Sequence, residues 1–261
     1  MGMEKNKGSH SVDSGQHYDE NFFRNLEEGS LQSAREIVPL VVRFLQPASV
    51  VDVGCGTGAW LSVFKEQGIG NILGVDGDYV NLDSILIPKE AFRPHDLTRP
   101  LKINKKFDLV VSLEVAEHLP SNCAETLVES LTNLGPIVMF SAAIPYQGGQ
   151  NHVNEQWQNY WRKLFNKKGY EAVDFIRKKV WDNPKVETWF AQNMLLYVHR
   201  DYLEVNSAIK EEWERSSFPL SVVHPKSYES YVLLNNMGLM RTLKAMPGMI
   251  LKRIFQKIRE R

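Results

Sequence analysis

Ser49-Val50-Val51-Asp52-Val53-Gly54-Cys55-Gly56-Thr57-Gly58 decides the reading of this chain. Residues 50–53 are β-branched apart from one acid and end at a glycine, the pattern of a short buried strand. Three alternate glycines follow. They let the backbone turn tightly and come close to a ligand that a Cβ would hold away. A helix is expected from Ala59, its free N–H groups facing the same crevice. Strand, glycine turn and helix together make the nucleotide-binding turn of an open α/β sheet, where ligands lie at the carboxyl ends of the strands. The plainer alternative is a glycine loop that serves only the turn.

The spacing resembles motif I of class I S-adenosylmethionine (SAM)-dependent methyltransferases, an acidic residue, one residue, then Gly-x-Gly-x-Gly. The resemblance implies that Gly54, Gly56 and Gly58 lie against SAM and that Asp52 meets its cationic methionine end. The same residues satisfy the dinucleotide fingerprint through Gly54, Gly56 and Ala59. A nicotinamide-dependent oxidoreductase is therefore the competing class. Gly58 and Asp52 favour SAM, because a pyrophosphate gains nothing from a carboxylate at that position.

At 261 residues the chain fits one sizeable domain with additions. Only Cys55 and Cys123 are present, in neither metal nor disulfide spacing, which suits a reducing cytoplasm. Residues 1–16 are polar, lack the apolar core of a signal peptide and read as a disordered lead-in. Gly2 is followed by Asn6 where a myristoylation signal wants Ser or Thr. The net charge is +0, yet residues 241–261 carry seven basic residues against the single Glu260. The body is correspondingly acidic, which argues against general nucleic-acid binding. Ile250, Leu251, Ile254, Phe255 and Ile258 recur at helical spacing among the basic residues of 249–261. Such a helix can lie on an anionic inner-membrane surface, or pack on the domain or a second copy. No run reaches transmembrane length.

Further along, a helix is expected over residues 30–44, and strands over 71–75, 91–93, 107–113 and 137–143. Helices over 59–67 and 122–134 lie between them. The alternation predicts a parallel sheet with right-handed crossovers. With strands at 170–176 and 194–199, the fold class is a Rossmann-like α/β sheet of seven strands, mostly parallel. The last strand is antiparallel, and a C-terminal helical extension follows. Residues 17–200 then form the methyltransferase domain and 201–261 a cover segment. Asp76 ends the second strand, where doubly wound nucleotide folds place a ribose-binding carboxylate; Asp78 can share that role. The family resemblance implies that Asp96 accepts from the adenine amino group, with Leu97 beside it and Glu114 at the end of strand four. Tyr18 is a further candidate for capping the cofactor.

Residues 152–197 resemble methyltransferases of bacterial polysaccharide and sugar modification. The matching residues are His152, Glu155, Trp157, Tyr160-Trp161, Leu164-Phe165, Gly169-Tyr170, Asp174, Arg177, Trp181, Trp189 and Gln192-Asn193. The resemblance implies a sugar, nucleotide-sugar or glycan hydroxyl as acceptor, in polysaccharide biosynthesis. A hydroxyl is a poor nucleophile at neutral pH, so a positioned base speeds its methylation by roughly 10²–10⁴-fold. His152 is the candidate base and Glu155 its orienting partner, against the alternative that His152 merely caps a helix. Glu117-His118 resembles the pair found in small-molecule methyltransferases, including those of quinone pathways, so a phenolic or quinone-type acceptor at the membrane is the second reading. Mg²⁺ on His152, Glu155 and Glu117 is a third possibility; without recognisable metal spacing, no metal is the working expectation. A non-catalytic scaffold is disfavoured, since it has no use for Asp52, Asp76 and Asp96 together.

Overall fold

The computed structural model describes residues 14–216 and 219–233, and for 14–27 the backbone alone. Seven strands form one sheet: β1 (Ser49–Val53), β2 (Asn71–Asp76), β3 (Phe92–Pro94), β4 (Leu109–Leu113), β5 (Ile137–Ser141), β6 (Tyr170–Val173) and β7 (Leu195–His199). Their order is β3-β2-β1-β4-β5-β7-β6. Strands β1 to β5 pair in parallel, and β7 is antiparallel to both its neighbours. Every residue of β1, β4 and β5 is buried, as a parallel sheet covered on both faces requires.

The helices covering it are α1 (Ser14–Leu45), α2 (Ala59–Glu66), α3 (Ala124–Thr132), α4 (Gln158–Lys167), α5 (Arg177–Val180), α6 (Thr188–Asn193), α7 (Arg200–Val205) and α8 (Ser207–Glu214). One core joins α1, α2 and α6 to the sheet through Ile37, Phe64, Phe190 and Leu196. The other joins α3 and α4 through Leu127, Phe140, Trp161 and Phe165. After β1 the chain passes to β2 on one side, and β4 later joins β1 on the other. That reversal opens a crevice beyond the carboxyl ends of β1 and β4, where open α/β sheets bind ligands.

Several boundaries differ from the sequence reading, each for a local reason. Strand four starts at Leu109, not 107, because the Phe107 N–H donates to the Leu134 carbonyl. The Asp108 carboxylate also accepts from Ala48 N and Ser49 Oγ, both at 2.9 Å. β6 stops at Val173 because Asp174 turns to pair with Arg177. The first helix is much longer than residues 30–44. Gly29 lies inside it at a close approach: a Cβ there would come within 2.5 Å of Glu187 Oε1. Residues 14–16 of the expected lead-in are already helical. The rest of the lead-in, and the basic segment 249–261, lie outside the described residues, as does the side chain of Tyr18. No described helix is long and apolar enough to cross a membrane.

Candidate active site

The turn after β1 is built as its glycines suggest. Gly54 has φ +87°, and a Cβ on it would lie 2.2 Å from Val115 Cγ2, so glycine is required twice over. The Gly54 and Cys55 amides both donate to the Val75 carbonyl, at 2.7 and 3.2 Å, and pin the turn to β2. Gly58, with φ +85°, precedes α2 and packs on Ile87. At Gly56 an added Cβ would meet nothing within 4 Å, so the backbone there is open to an incoming group.

Asp76 closes the turn from the other side. Its Oδ2 accepts from Gly56 N at 2.7 Å and its Oδ1 from Gly77 N at 2.7 Å. The Tyr79 hydroxyl donates to the same Oδ1. Burial and the Asp76 carboxylate push the Tyr79 phenol up, so it stays protonated. Asp52 is almost wholly buried in β1, and burial, then the neighbouring Asp76, push its carboxyl well above the usual range. Cys55 is buried, and its thiol is raised by burial and by both aspartates, which leaves it inert.

Beyond these residues lies a cleft of about 730 Å³ whose walls include Gly54, Asp76, Asp96, Leu97, Glu114 and His118. That is ample for a nucleoside-sized ligand. Asp96 is solvent-exposed, and the Thr98 side chain, then the Thr98 amide, hold its carboxyl below the usual range. The structure thus brings the ribose, adenine and strand-four candidates to one cleft. Asp52 sits behind the glycine turn.

The acceptor side is organised from two loops. Glu114 takes φ +52° at the end of β4. Its oxygens accept from Gln147 Nε2 at 3.0 Å and Asn193 Nδ2 at 3.3 Å. Gln192, beside Asn193, accepts from the His224 amide at 2.8 Å, tying the cover segment to this network. Burial pushes the Glu114 carboxyl up. The loop after β5 folds back over Glu117, whose carbonyl accepts from Val153 N at 2.8 Å and Asn154 N at 3.0 Å. Glu155 holds that loop by accepting from Tyr146 N (2.8 Å) and Gly148 N (3.1 Å). The same carboxylate meets His152 Nδ1 at 3.0 Å, and the two side chains keep only 13% and 21% exposure. Helix α4 begins at Gln158, so His152 is not its cap. The His152 ring lies edge-on to that of His118, centroids 4.9 Å apart. Desolvation, and then His152, lower the His118 pKa.

Tyr79, Gln147 and Asn193 were not singled out from sequence as site residues. Two of them carried a signal, Gln147 in the polar loop after strand five and Asn193 in the Gln192-Asn193 pair before the last strand.

Strand order, glycine turn and acid-lined cleft define a SAM-dependent methyltransferase of class I. Residues 26–192, more than half of the chain, match the family described as a methyltransferase domain, and the protein belongs to that family. No curated protein sequence matches it. Among solved structures it is similar to the sugar N-methyltransferase KedS8 from Streptoalloteichus sp ATCC 53650. The TM-score is 0.54 and the identity 13%, over 77% of this chain and 100% of that one. It is also similar to CalS10, an amino pentose methyltransferase from Micromonospora echinaspora. Here the TM-score is 0.53 and the identity 14%, over 73% and 100% of the two chains. The site fits SAM on the structure's own terms: an open backbone at Gly56, a fixed carboxylate at Asp76 and a cleft of sufficient volume.

Proposed function

We propose that the protein methylates a hydroxyl of a sugar, nucleotide-sugar or glycan acceptor, as a cytoplasmic step of polysaccharide biosynthesis. The observation that carries this reading is the His152–Glu155 pair, hydrogen-bonded at 3.0 Å beside the cofactor cleft. A neutral amine attacks a methyl donor through its own lone pair, whereas a hydroxyl must shed its proton as it reacts. A half-buried imidazole oriented by a carboxylate is machinery for that proton. The family resemblance of residues 152–197 to sugar-modifying enzymes supports the acceptor class, and so do the sugar-acting structural neighbours.

SAM supplies the electrophilic methyl group. Gly54, Gly56 and Asp76 hold its nucleoside, Asp96 and Leu97 border the base, and Glu114 marks the boundary with the acceptor. Glu155 fixes the Nδ1 proton of His152, leaving Nε2 to assist removal of the hydroxyl proton. The acceptor O–C bond forms as the S–C bond breaks, and S-adenosylhomocysteine (SAH) leaves. Holding the three atoms in line is the larger part of the task.

The test is transfer of an isotopically labelled methyl group to a panel of nucleotide-sugars, oligosaccharides, amino sugars and phenols, with the methylated atom located by mass spectrometry and NMR. Labelled sugar O-methyl product is expected, and His152→Ala should lower kcat by about 10²–10⁴-fold without altering SAH affinity. Label on an amino nitrogen overturns the hydroxyl assignment; label on a phenol overturns the acceptor class.

A further inference from the structure

We propose that Glu117, His118 and His152 form a binding site for one divalent transition-metal ion of the manganese, cobalt or zinc kind, on the acceptor side of the cleft. Their ligand atoms all lie within 4.8 Å of one another. An ion about 2.1 Å from each needs separations no greater than about 4.2 Å, so small side-chain rotations close the set.

Glu117 supplies an independent reason. It is completely buried, yet neither carboxylate oxygen has a hydrogen-bond partner. The amides of Glu117 and Ala143 lie close enough to ease its charge, but neither closes to a hydrogen bond. Its carboxyl lies beside another, that of Glu114. Ionising a buried carboxyl without partner or counter-charge is costly, and where such a group does carry its charge it is paired or binds metal. A divalent ion would answer both glutamates at once.

The surroundings are those of a ligand set. Metal-binding imidazoles ordinarily give their second nitrogen to a carboxylate or a carbonyl, which fixes the tautomer. His152 does this with Glu155 at 3.0 Å, and the Asn151 backbone lies close to the His118 ring. The structure therefore redraws the Mg²⁺ grouping suggested by sequence. Glu155 turns to the loop amides and to His152, and His118 takes its place. Two imidazoles and one carboxylate suit a first-row transition ion with open positions, where Mg²⁺ prefers oxygen.

The ion's role rests on the O-methylation reading; the site itself does not. An acceptor hydroxyl at an open position would become more acidic. Its proton would pass to water, its oxygen would bond the methyl carbon as the S–C bond breaks, and no atom would change oxidation state. His152 then acts as a ligand and leaves acidification to the ion.

The experiment uses untagged full-length protein stripped with a chelator and titrated with Co²⁺, Mn²⁺, Zn²⁺ and Mg²⁺ separately. Calorimetry follows each ion, and visible absorption follows Co²⁺. One equivalent of Co²⁺ should bind more tightly than Mg²⁺. Glu117→Gln and His152→Ala should each weaken Co²⁺ at least tenfold, and Glu155→Gln by about 10–100-fold with a shifted absorption band. SAH binding and thermal melting on the same samples identify any variant that fails to fold, and such a variant is replaced by His118→Ala. Absence of binding to the parent protein, or Co²⁺ affinity unmoved by Glu117→Gln, overturns the site. Hydroxyl methylation undiminished in the stripped enzyme overturns the ion's role. Metal bound as expected with methylation only on nitrogen overturns the acceptor reading and leaves the site standing.

Discussion

Asp76→Ala probes the cofactor reading most directly, and the structure sets the size of the effect. A carboxylate offers about four acceptor positions. Oδ2 spends one on the Gly56 amide; Oδ1 spends two, on the Gly77 amide and the Tyr79 hydroxyl. A ribose hydroxyl arriving at Oδ2 therefore makes a new hydrogen bond. A second, arriving at Oδ1, must exchange with the phenol at little net gain. One hydrogen bond to a charged group contributes about 1.5–3 kcal/mol, so Asp76→Ala should weaken SAH by roughly ten- to 150-fold. Loss of the Gly56 and Gly77 anchors pushes toward the upper end. Isothermal titration of parent and variant with SAH measures the ratio, and circular dichroism confirms that the variant is folded. A folded variant whose SAH affinity falls less than threefold refutes the assignment of Asp76 to the ribose.

The same count predicts that Tyr79→Phe, by freeing Oδ1, tightens SAH by about two- to tenfold, read in the same titration. Asp52 has its carboxyl raised in the fold, so the unfolded chain releases that proton first and stability falls as pH climbs above the ordinary aspartate range. Asp52→Asn should therefore raise the melting temperature of the ligand-free protein more at pH 8 than at pH 5, by scanning calorimetry. The Asp174–Arg177 pair is buried and bidentate, at 2.7 and 2.9 Å, and Arg177 also donates to the Leu220 carbonyl at 2.7 Å. Asp174→Asn leaves that guanidinium without its counter-charge, and should cost about 3–5 kcal/mol in denaturant unfolding.

The sheet was legible because its signals are local. Val50 to Val53 and Ile137 to Ser141 are apolar runs long enough for a strand, and Gly54 and Gly135 punctuate them. The place of Asp76, at the end of β2 against the glycine turn, was legible for the same reason, its distance from that turn being set by one crossover. What escaped depends on contacts distant in sequence. The first helix runs back through Gly29, where it packs against Glu187, well beyond the 30–44 expected from its own residues. Tyr79 carries no local signal for the contact its hydroxyl makes with Asp76. Glu117 and His152 were already grouped from sequence, but with Glu155; that His118 stands there instead follows from two loops stitched together by the Val153 and Asn154 amides. No spacing rule connects residues joined in that way.

The position of β7 has a consequence for how this chain is made. The last strand among the described residues is an interior strand of the sheet, between β5 and β6. Until residues 195–199 have left the ribosome, β5 presents a bare edge, and β6 has no partner in the sheet. Exposed apolar edges of this kind recruit other chains. Sheet closure therefore waits for nearly 200 residues of synthesis, and a nascent chain stalled before Leu195 is an aggregation hazard. The family match ends at residue 192, before β7 begins. A fragment cut there loses the strand that joins β6 to the rest of the sheet.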